Sequence, residues 1–283
     1  MIFAQEKNCF SIVREIFYRH ATDPVSSVAS DRRMGKGGIL SQSLVGKKVL
    51  ITGASSGIGQ ATALLLAKEG ADLCLVARRA KELSSVADQC RNFGGVALDI
   101  VADITNENDV QGMARKCFAA YEKIDVLINN AGYGKYAPFT STPIAEWDRM
   151  WNVNVRGAVL VTQAVLPYMI AGRKGDIVNI SSTHGLQTSA NASAYCATKF
   201  AMTGFSEALA KEVWKQGIRV SLVCPGGVLT PFLGIAPEEK NPEYLNAEDV
   251  AQTVLNIVTA PERALIMKVV VVPRTRPFTV QEI

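Results

Sequence analysis

The chain has 283 residues, of which 48% are hydrophobic and 20% charged, and its formal net charge is +4. This is the composition of a globular protein long enough to bury a core, and the weak, scattered charge argues against nucleic acid as a partner. The six cysteines include no C-x-x-C pair and the chain has two histidines, so we expect reduced thiols in a cytoplasmic protein and no metal site.

The sequence also argues against membrane insertion and secretion. The longest apolar stretch, Ala158 to Ala171, is shorter than the roughly 18 residues of a membrane span and contains Pro167. We predict that it forms a buried helix. Charged residues between Glu6 and Glu15 interrupt any apolar segment that a signal peptide would need.

Residues 1–44 lack the regular hydrophobic pattern of the rest of the chain. Their second half is rich in Ser, Gly and Arg. We interpret them as a poorly ordered leader in which residues 9–20 form one short amphipathic helix. Met34 lies just before the regular pattern, and a natural start at this residue is a hypothesis that a shortened chain would test.

From Lys47 onward, short apolar runs alternate with stretches of helical period. Runs without polar alternation are typical of parallel strands covered on both faces. Their alternation with helices predicts one α/β domain over residues 45–283, a doubly wound, Rossmann-type parallel sheet of about seven strands with helices on both faces. The predicted strands are 49–52, 73–77, 96–104, 126–129, 177–181, 220–224 and 269–272. The predicted helices include 60–69, 106–122, 193–215 and 247–259, the last with Asn246 as its N-cap.

The first predicted strand runs into a glycine-rich turn at residues 52–59, and a helix follows at once. Glycines allow the backbone to approach a pyrophosphate closely, and the helix N-terminus presents free N–H groups to the anion. The pattern G-x-x-x-G-x-G therefore favours a dinucleotide site, with a purely structural turn as the alternative. The same residues match the G-x-S-x-G elbow of hydrolases, with Ser55 as nucleophile and His184 downstream. We reject that interpretation because no earlier βα connection is available to supply an oxyanion loop.

The tip of the second predicted strand carries Arg78 and Arg79, where a NAD site usually has an acidic residue. A guanidinium suits the 2′-phosphate of NADP(H) through paired, charge-assisted hydrogen bonds, whereas a carboxylate would repel that phosphate. We therefore predict NADP(H) as the cofactor. The alternative is that both arginines belong to a solvated helix start.

Tyr195 and Lys199 form the only Y-x-x-x-K of the chain, and on the predicted helix they face the same way. Ser182 lies 13 residues before Tyr195, at the carboxyl end of a strand, where ligands bind in open α/β sheets. A lysine ammonium about 4 Å from the phenol would favour the phenolate by about 4 kcal/mol, so we predict a Tyr195 pKa lowered by about three units. The pair alone could be an ordinary helix-surface contact. With Ser182 to hold a substrate oxygen, it predicts general acid–base work on a carbonyl or alcohol.

These motifs resemble those of the short-chain dehydrogenase/reductase family over essentially all of residues 45–283. Residues 52–59 are similar to the family's T-G-x-x-x-G-x-G, and residues 129–132 to its N-N-A-G. The resemblance implies a catalytic tetrad in which Asn154 supports a water-linked proton relay to the lysine. The implied catalytic residues are Asn154, Ser182, Tyr195 and Lys199.

The same resemblance implies the remaining contacts to an NADP-type cofactor. Asp103 is similar to the acid that contacts the adenine ring, Arg78 to the arginine of NADP-preferring members, and Pro225-Gly226 to the P-G motif beside the nicotinamide amide. The predicted cofactor-binding residues are Gly53, Ser55, Ser56, Gly57, Ile58, Gly59, Arg78, Arg79, Asp103, Ile104, Asn130, Ala131, Gly132, Tyr195, Lys199, Pro225, Gly226, Val228 and Thr230.

The expected function is interconversion of a carbonyl (ketone, aldehyde or 3-oxoacyl group) and a secondary alcohol with NADP(H). The alternative is a non-catalytic dinucleotide-binding or redox-sensing protein on the same scaffold. We expect residues 229–245 to cap a substrate pocket lined by Tyr133, Tyr136, His184 and Phe232. The resemblance also implies a homodimer or homotetramer that pairs through the helix at 193–215.

Overall fold

The computed structural model describes residues 43–233 and 242–275. The predicted helix at 9–20, Met34 and part of the predicted cap at 229–245 lie outside these ranges. Leu44, which we assigned to the leader, is 1% exposed and packs in the core, and its amide donates to the Glu69 carbonyl at 3.0 Å. The α/β domain therefore includes Leu44, one residue before the predicted boundary.

Seven parallel strands form one sheet in the order β3-β2-β1-β4-β5-β6-β7. This confirms the predicted doubly wound fold. The predicted third strand, 96–104, is longer than the observed one because the chain turns at Asp103, whose carboxylate accepts from the amide and hydroxyl of Thr105. The strands are β1 (Lys48–Thr52), β2 (Asp72–Ala77), β3 (Ala97–Val101), β4 (Val126–Asn129), β5 (Gly175–Ile180), β6 (Ile218–Pro225) and β7 (Lys268–Val271).

Helices cover both faces of the sheet, and a large apolar cluster lies on each face. One cluster contains Ile51 and Leu75 from the sheet, and the other contains Leu50 and Leu127. Neighbouring strand residues such as Leu50 and Ile51 point to opposite faces, so strands that bury both must be apolar throughout. The helices are α1 (Gly57–Lys68), α2 (Ala80–Arg91), α3 (Glu107–Tyr121), α4 (Ile144–Trp151), α5 (Ala158–Ala171), α6 (Ser193–Val213) and α7 (Ala247–Val258).

Helices α4 and α5 are joined through a π-helix, Asn152–Gly157, into one helix of 28 residues. An 18-residue window of it has a mean hydropathy of 1.3, so by length and composition alone it could cross a membrane, contrary to our expectation from the shorter stretch. Half of that window is buried inside the protein. Val161, Val165 and Met169 pack in the core, and a core helix passes the same test.

Two helix ends match their sequence signals. Asn246 caps α7 with a reciprocal capping box, in which Asp249 accepts from the Asn246 amide at 2.8 Å. Helix α6 ends at Val213, two residues earlier than predicted, and continues as one 3₁₀ turn to Gln216. Gly217 follows with φ 82°, and a Cβ there would lie 2.2 Å from the Arg173 carbonyl oxygen. Only glycine fits this turn, which sends the chain into β6.

Candidate active site

A cleft of about 550 Å³ lies at the carboxyl edge of the sheet, lined by the segments that follow strands β1 to β6. The strand order reverses beside β1, whose neighbours are β2 and β4. In doubly wound sheets the two connections diverge at such a point and leave a crevice for a ligand. The fold itself therefore places a binding site at this edge.

The glycine loop after β1 forms one wall of the cleft. Gly53 and Gly57 have φ of 67° and 57°, a region that side-chain-bearing residues rarely adopt. A Cβ at Gly53 would lie 2.8 Å from the Ala131 Cα, and one at Gly57 3.0 Å from the Thr230 Cγ2. These glycines keep the backbone accessible at the N-terminus of α1, as a pyrophosphate requires. The residues present therefore fit a dinucleotide.

Gly59 plays a different part from the one predicted, since it does not line the cleft. A Cβ there would lie 2.3 Å from the Gly53 carbonyl oxygen and 2.5 Å from the Asn130 Nδ2. Asn130 also donates to the carbonyl oxygens of Thr52 (2.9 Å) and Gly53 (3.2 Å). Gly59 therefore lets α1 pack tightly beneath the loop, while Asn130 ties the loop to the end of β4.

The hydrolase interpretation of the same loop has no support from its side-chain contacts. The Ser55 hydroxyl accepts a hydrogen bond from Arg79. His184, the base that such a triad would need, has its Nε2 2.8 Å from the Ser189 hydroxyl. The candidate nucleophile and base thus have other partners.

The two arginines lie at the end of the cleft formed by β2 and β3. Arg79 Nη2 donates to the hydroxyls of Ser55 (2.9 Å) and Ser56 (2.6 Å). Arg78 Nη1 lies 3.8 Å from the Asp103 carboxylate, and both side chains are well exposed. The sequence analysis missed the contact between Arg79 and the two serines, because it joins residues from two separate loops.

Tyr195, Ser182 and Lys199 meet at the opposite end of the cleft. Tyr195 and Lys199 are each 5% exposed and Ser182 is 7% exposed. The Ser182 hydroxyl lies near the Tyr195 phenol and favours a lower phenol pKa. Lys199 Nζ lies 5.6 Å from the centre of the Tyr195 ring and donates to the Ile180 carbonyl at 3.1 Å. A phenol, a hydroxyl and an amine are thus held together in a nearly dry site.

Burial shifts both titratable groups of this site towards their neutral forms. It raises the pKa of Tyr195 above its ordinary value, an effect that the hydrogen bond from Ser182 opposes. It lowers the pKa of Lys199 to about 8. The predicted lowering of the Tyr195 pKa by lysine is therefore wrong for the protein alone, because desolvation of the phenolate is the dominant effect.

Asn154 lies behind the wall of the cleft, within the π-helix. Its Oδ1 accepts from the Tyr133 amide at 2.7 Å, and its Nδ2 donates to the Tyr133 carbonyl at 2.8 Å and the Thr198 hydroxyl at 3.0 Å. It thereby ties the loop after β4 to α6 at the residue before Lys199. A π-helix often marks a functional position, and here it places this amide between the loop after β4 and α6.

The remaining predicted residues mostly line the cleft. Thr230 contacts the glycine loop from the segment after β6, as its 3.0 Å approach to the Gly57 Cβ position shows. The side chain of Ile104 packs against Gly157, where a Cβ would lie 2.6 Å away. The other predicted residues that line the cleft are Ile58, Asp103, Ala131, Gly132, Pro225, Gly226 and Val228.

The four predicted pocket residues all line the cleft. The rings of Tyr136, His184 and Phe232 surround the Tyr195 ring with centroids 5.6, 5.7 and 5.8 Å away. Burial lowers the pKa of His184, which favours the neutral imidazole. Tyr133 differs from the others because its hydroxyl donates to Glu146 at 2.8 Å.

The sequence analysis missed a buried polar row behind the site. Asn129 Nδ2 donates to the Thr162 hydroxyl and to the Asn179 Oδ1, and Asn179 Nδ2 donates to the Ser206 hydroxyl. The row links α5, β4, β5 and α6, and α6 carries Tyr195 and Lys199. A signal was present, since Asn129 and Asn179 are polar residues within apolar strands. Among residues 43–233 and 242–275, no group of three or more potential metal ligands occurs.

Comparison with known proteins supports the family resemblance of the sequence motifs. The family model for short chain dehydrogenases matches residues 47–241. The 3-oxoacyl-(acyl-carrier-protein) reductase FabG of Thermotoga maritima is 37% identical over 221 residues, which are 75% of this chain and 90% of the relative.

Two solved structures are similar in fold and differ in cofactor. A metagenomic short-chain oxidoreductase in complex with NADP is 33% identical, with a TM-score of 0.73 over 82% of this chain and 98% of its own. A xylitol dehydrogenase with bound NAD⁺ is 28% identical, with a TM-score of 0.75 over 81% of this chain and 99% of its own. With these matches, the cleft and its side chains identify the chain as a member of the short-chain dehydrogenase/reductase family, an oxidoreductase acting on alcohol or carbonyl groups.

Proposed function

We propose that the protein is an NADP(H)-dependent oxidoreductase that interconverts a carbonyl compound and a secondary alcohol through Tyr195, Ser182, Lys199 and Asn154. The observation that carries this proposal is that one cleft holds the glycine loop at one end and the buried Ser182–Tyr195–Lys199 group at the other. Such a cleft suits hydride transfer to carbon and proton transfer to oxygen in the same complex.

The preference for NADP(H) rests on the chain's own residues, because similar structures bind either NADP or NAD⁺. Arg79 is held beside Ser55 and Ser56, so one guanidinium and two hydroxyls converge at the tip of β2. Arg78 adds a second cation, partly compensated by Asp103 at 3.8 Å. Guanidinium and hydroxyl donors favour a 2′-phosphate over a ribose hydroxyl.

The cofactor, when bound, supplies or accepts the hydride. In the direction of reduction, Tyr195 is protonated, because burial raises its pKa, and it donates this proton to the substrate oxygen that Ser182 positions. Lys199, whose pKa is lowered to about 8, is poised to return a proton to the phenolate near neutral pH. Asn154 holds the loop after β4 against α6 and so positions Lys199 through its neighbour Thr198.

The test is Tyr195→Phe. This substitution removes the proton donor and leaves the ring that packs against Tyr136, His184 and Phe232. We expect turnover of a carbonyl substrate to fall by about 10²- to 10⁴-fold, with NADPH affinity nearly unchanged, measured by fluorescence titration. Tight NADPH binding by the unmodified protein without oxidation over a broad panel of carbonyls would instead favour the non-catalytic alternative.

A cytoplasmic location and self-association stay predictions. The exposed ring of Phe200 on α6, at 43% accessibility, supports an interface on the helix through which we predict pairing. Sedimentation velocity of the full chain tests this expectation, and a monomer at micromolar concentration would contradict it.

A further inference from the structure

The part of the cleft around Tyr195 offers little to a charged substrate. Of the charged residues among its described lining, Arg78, Arg79 and Asp103 lie at the far end, at the tips of β2 and β3. Lys199 lies near Tyr195 and donates to the Ile180 carbonyl, and His184 favours its neutral form. A carboxylate or phosphate next to the reacting carbonyl would therefore be buried among aromatic rings, which is costly.

Phe232 narrows the cleft above the phenol. Its ring comes from the segment after β6 and reaches the loop after β4, where a Cβ on Gly134 would lie 2.6 Å from the Phe232 Cζ. Its centroid is 5.8 Å from that of Tyr195, and that of Tyr136 is 5.6 Å from the same ring. A carbonyl compound that reaches Tyr195 thus lies against aromatic rings from two different loops.

Apolar surface continues outside the cleft as an apolar shelf, defined here as Phe139, Ile144 and Trp147. Phe139 and Ile144 are 68% and 74% exposed. The half-buried Trp147 packs against the cluster that contains Tyr195, and its ring meets that of Phe139 edge-on with centroids 6.0 Å apart. Ile144 and Trp147 are i and i+3 on α4, so they share a face. Through Trp147, the shelf thus packs against the cluster that contains Tyr195, outside the described lining of the cleft.

We propose that the substrate is an uncharged carbonyl compound with an extended alkyl or acyl chain, which runs from Tyr195 past Tyr136 and lies on the apolar shelf. This inference rests on the proposed function and names the substrate class of the same site. The substrate chain is the favoured occupant because Trp147 packs against the cluster that contains Tyr195, and because Tyr136, which lines the cleft, and Phe139 lie three residues apart in one loop. At its border, Glu146 is already paired with Lys135 and Tyr133.

The first experiment is a chain-length series of unbranched 2-alkanones, from 2-butanone to 2-decanone, with NADPH and the full-length protein. Each added methylene that leaves water should raise kcat/KM by up to about fourfold, and by about twofold where it is half covered. We also expect ethyl 3-oxobutanoate to be reduced at least tenfold more efficiently than the 3-oxobutanoate anion. A flat series, or equal reduction of ester and anion, would overturn the inference.

The second experiment assigns the effect to the shelf. Phe139→Ala and Ile144→Ser should flatten the chain-length dependence, chiefly through KM for the longer ketones. Phe93→Ala is the matched control, because Phe93 is 49% exposed. It lies two residues after the end of α2, near the edge of the sheet opposite the cleft. Melting temperature confirms folding of each variant, which is expected for such exposed sites.

The outcomes separate the inference from the function beneath it. Reduction of short ketones without any gain from chain length overturns the inference and leaves the proposed function intact. Failure to oxidise NADPH with any ketone overturns both. A shelf variant that keeps the wild-type slope but lowers the oligomeric state in sedimentation would assign the shelf to a second copy of the chain and overturn the inference as well.

Discussion

The two ends of the cleft depend on different kinds of interaction. At the end formed by β1 to β3, the proposed cofactor site depends on backbone geometry and on exposed cations. Gly53 and Gly57 there have positive φ, and Arg78 is 62% exposed. At the other end, Tyr195 and Lys199 are each 5% exposed and their pKa values are set by desolvation. Local sequence determines the first kind of chemistry, whereas packing determines the second. This difference predicts which substitutions affect cofactor binding and which affect proton transfer.

The largest effect on cofactor binding should come from the backbone at the cofactor end. We expect Gly59→Ala to weaken NADPH binding by at least about 100-fold, about 3 kcal/mol, because its Cβ would lie 2.3 Å from the Gly53 carbonyl oxygen. Isothermal titration measures the loss. Gly204→Ala on α6 is the matched control, since nothing lies within 4 Å of its Cβ position, and alanine there favours the helix. Normal NADPH binding by Gly59→Ala would show that the loop can move.

A smaller effect is expected from the exposed cations of the same end. Arg79→Ala should lower the ratio of kcat/KM for NADPH to that for NADH by about 10- to 100-fold, the worth of a charge-assisted hydrogen bond to phosphate. The effect should weaken at high ionic strength, because Arg79 is about half exposed. Arg115→Ala, an exposed arginine on α3 outside the described lining, is the control. An unchanged cofactor ratio in Arg79→Ala would contradict the NADP(H) assignment of this site.

A third effect concerns stability at the buried end and leaves cofactor binding aside. The pKa of Lys199 is lowered to about 8 from 10.5, so between these values the unfolded chain binds more protons than the folded protein. Stability from this group therefore rises with pH across that window and is lowest below pH 8. Lys199→Met removes the titration, so the difference in unfolding free energy between variant and wild type should favour the variant most at pH 7 and shrink towards pH 10. Urea denaturation measures it, and a difference independent of pH would show that Lys199 is not desolvated.

Much of the fold could be predicted because its signals are local. Apolar runs without alternation predicted seven parallel strands, and six of them match within two residues at each end. The third was predicted too long, because the carboxylate of Asp103 binds Thr105 and turns the chain away, an interaction that hydrophobicity does not report. The long helix of residues 144–171 was also missed, because it joins an amphipathic segment to an apolar one through a π-helix.

For the candidate site, the sequence by itself determined which groups are present and roughly where. A glycine pattern between a strand and a helix predicts a tight turn with positive φ values. An i,i+4 spacing places Tyr195 and Lys199 on one face of α6. The side chains that converge from distant loops depended on the fold, such as Arg79 with Ser55, or Asn154 with Tyr133 and Thr198.

The tertiary structure alone decided the electrostatics of the Tyr–Lys pair. Counting charges along one helix predicted a lowered phenol pKa, yet burial raises it, because the cost of desolvating a charge depends on every element packed around it. The same holds for Phe232, which reaches Gly134 across the cleft, and for the shelf beyond it. Spacing in the sequence specifies which groups share a surface, and only the packed structure determines how much water remains beside them.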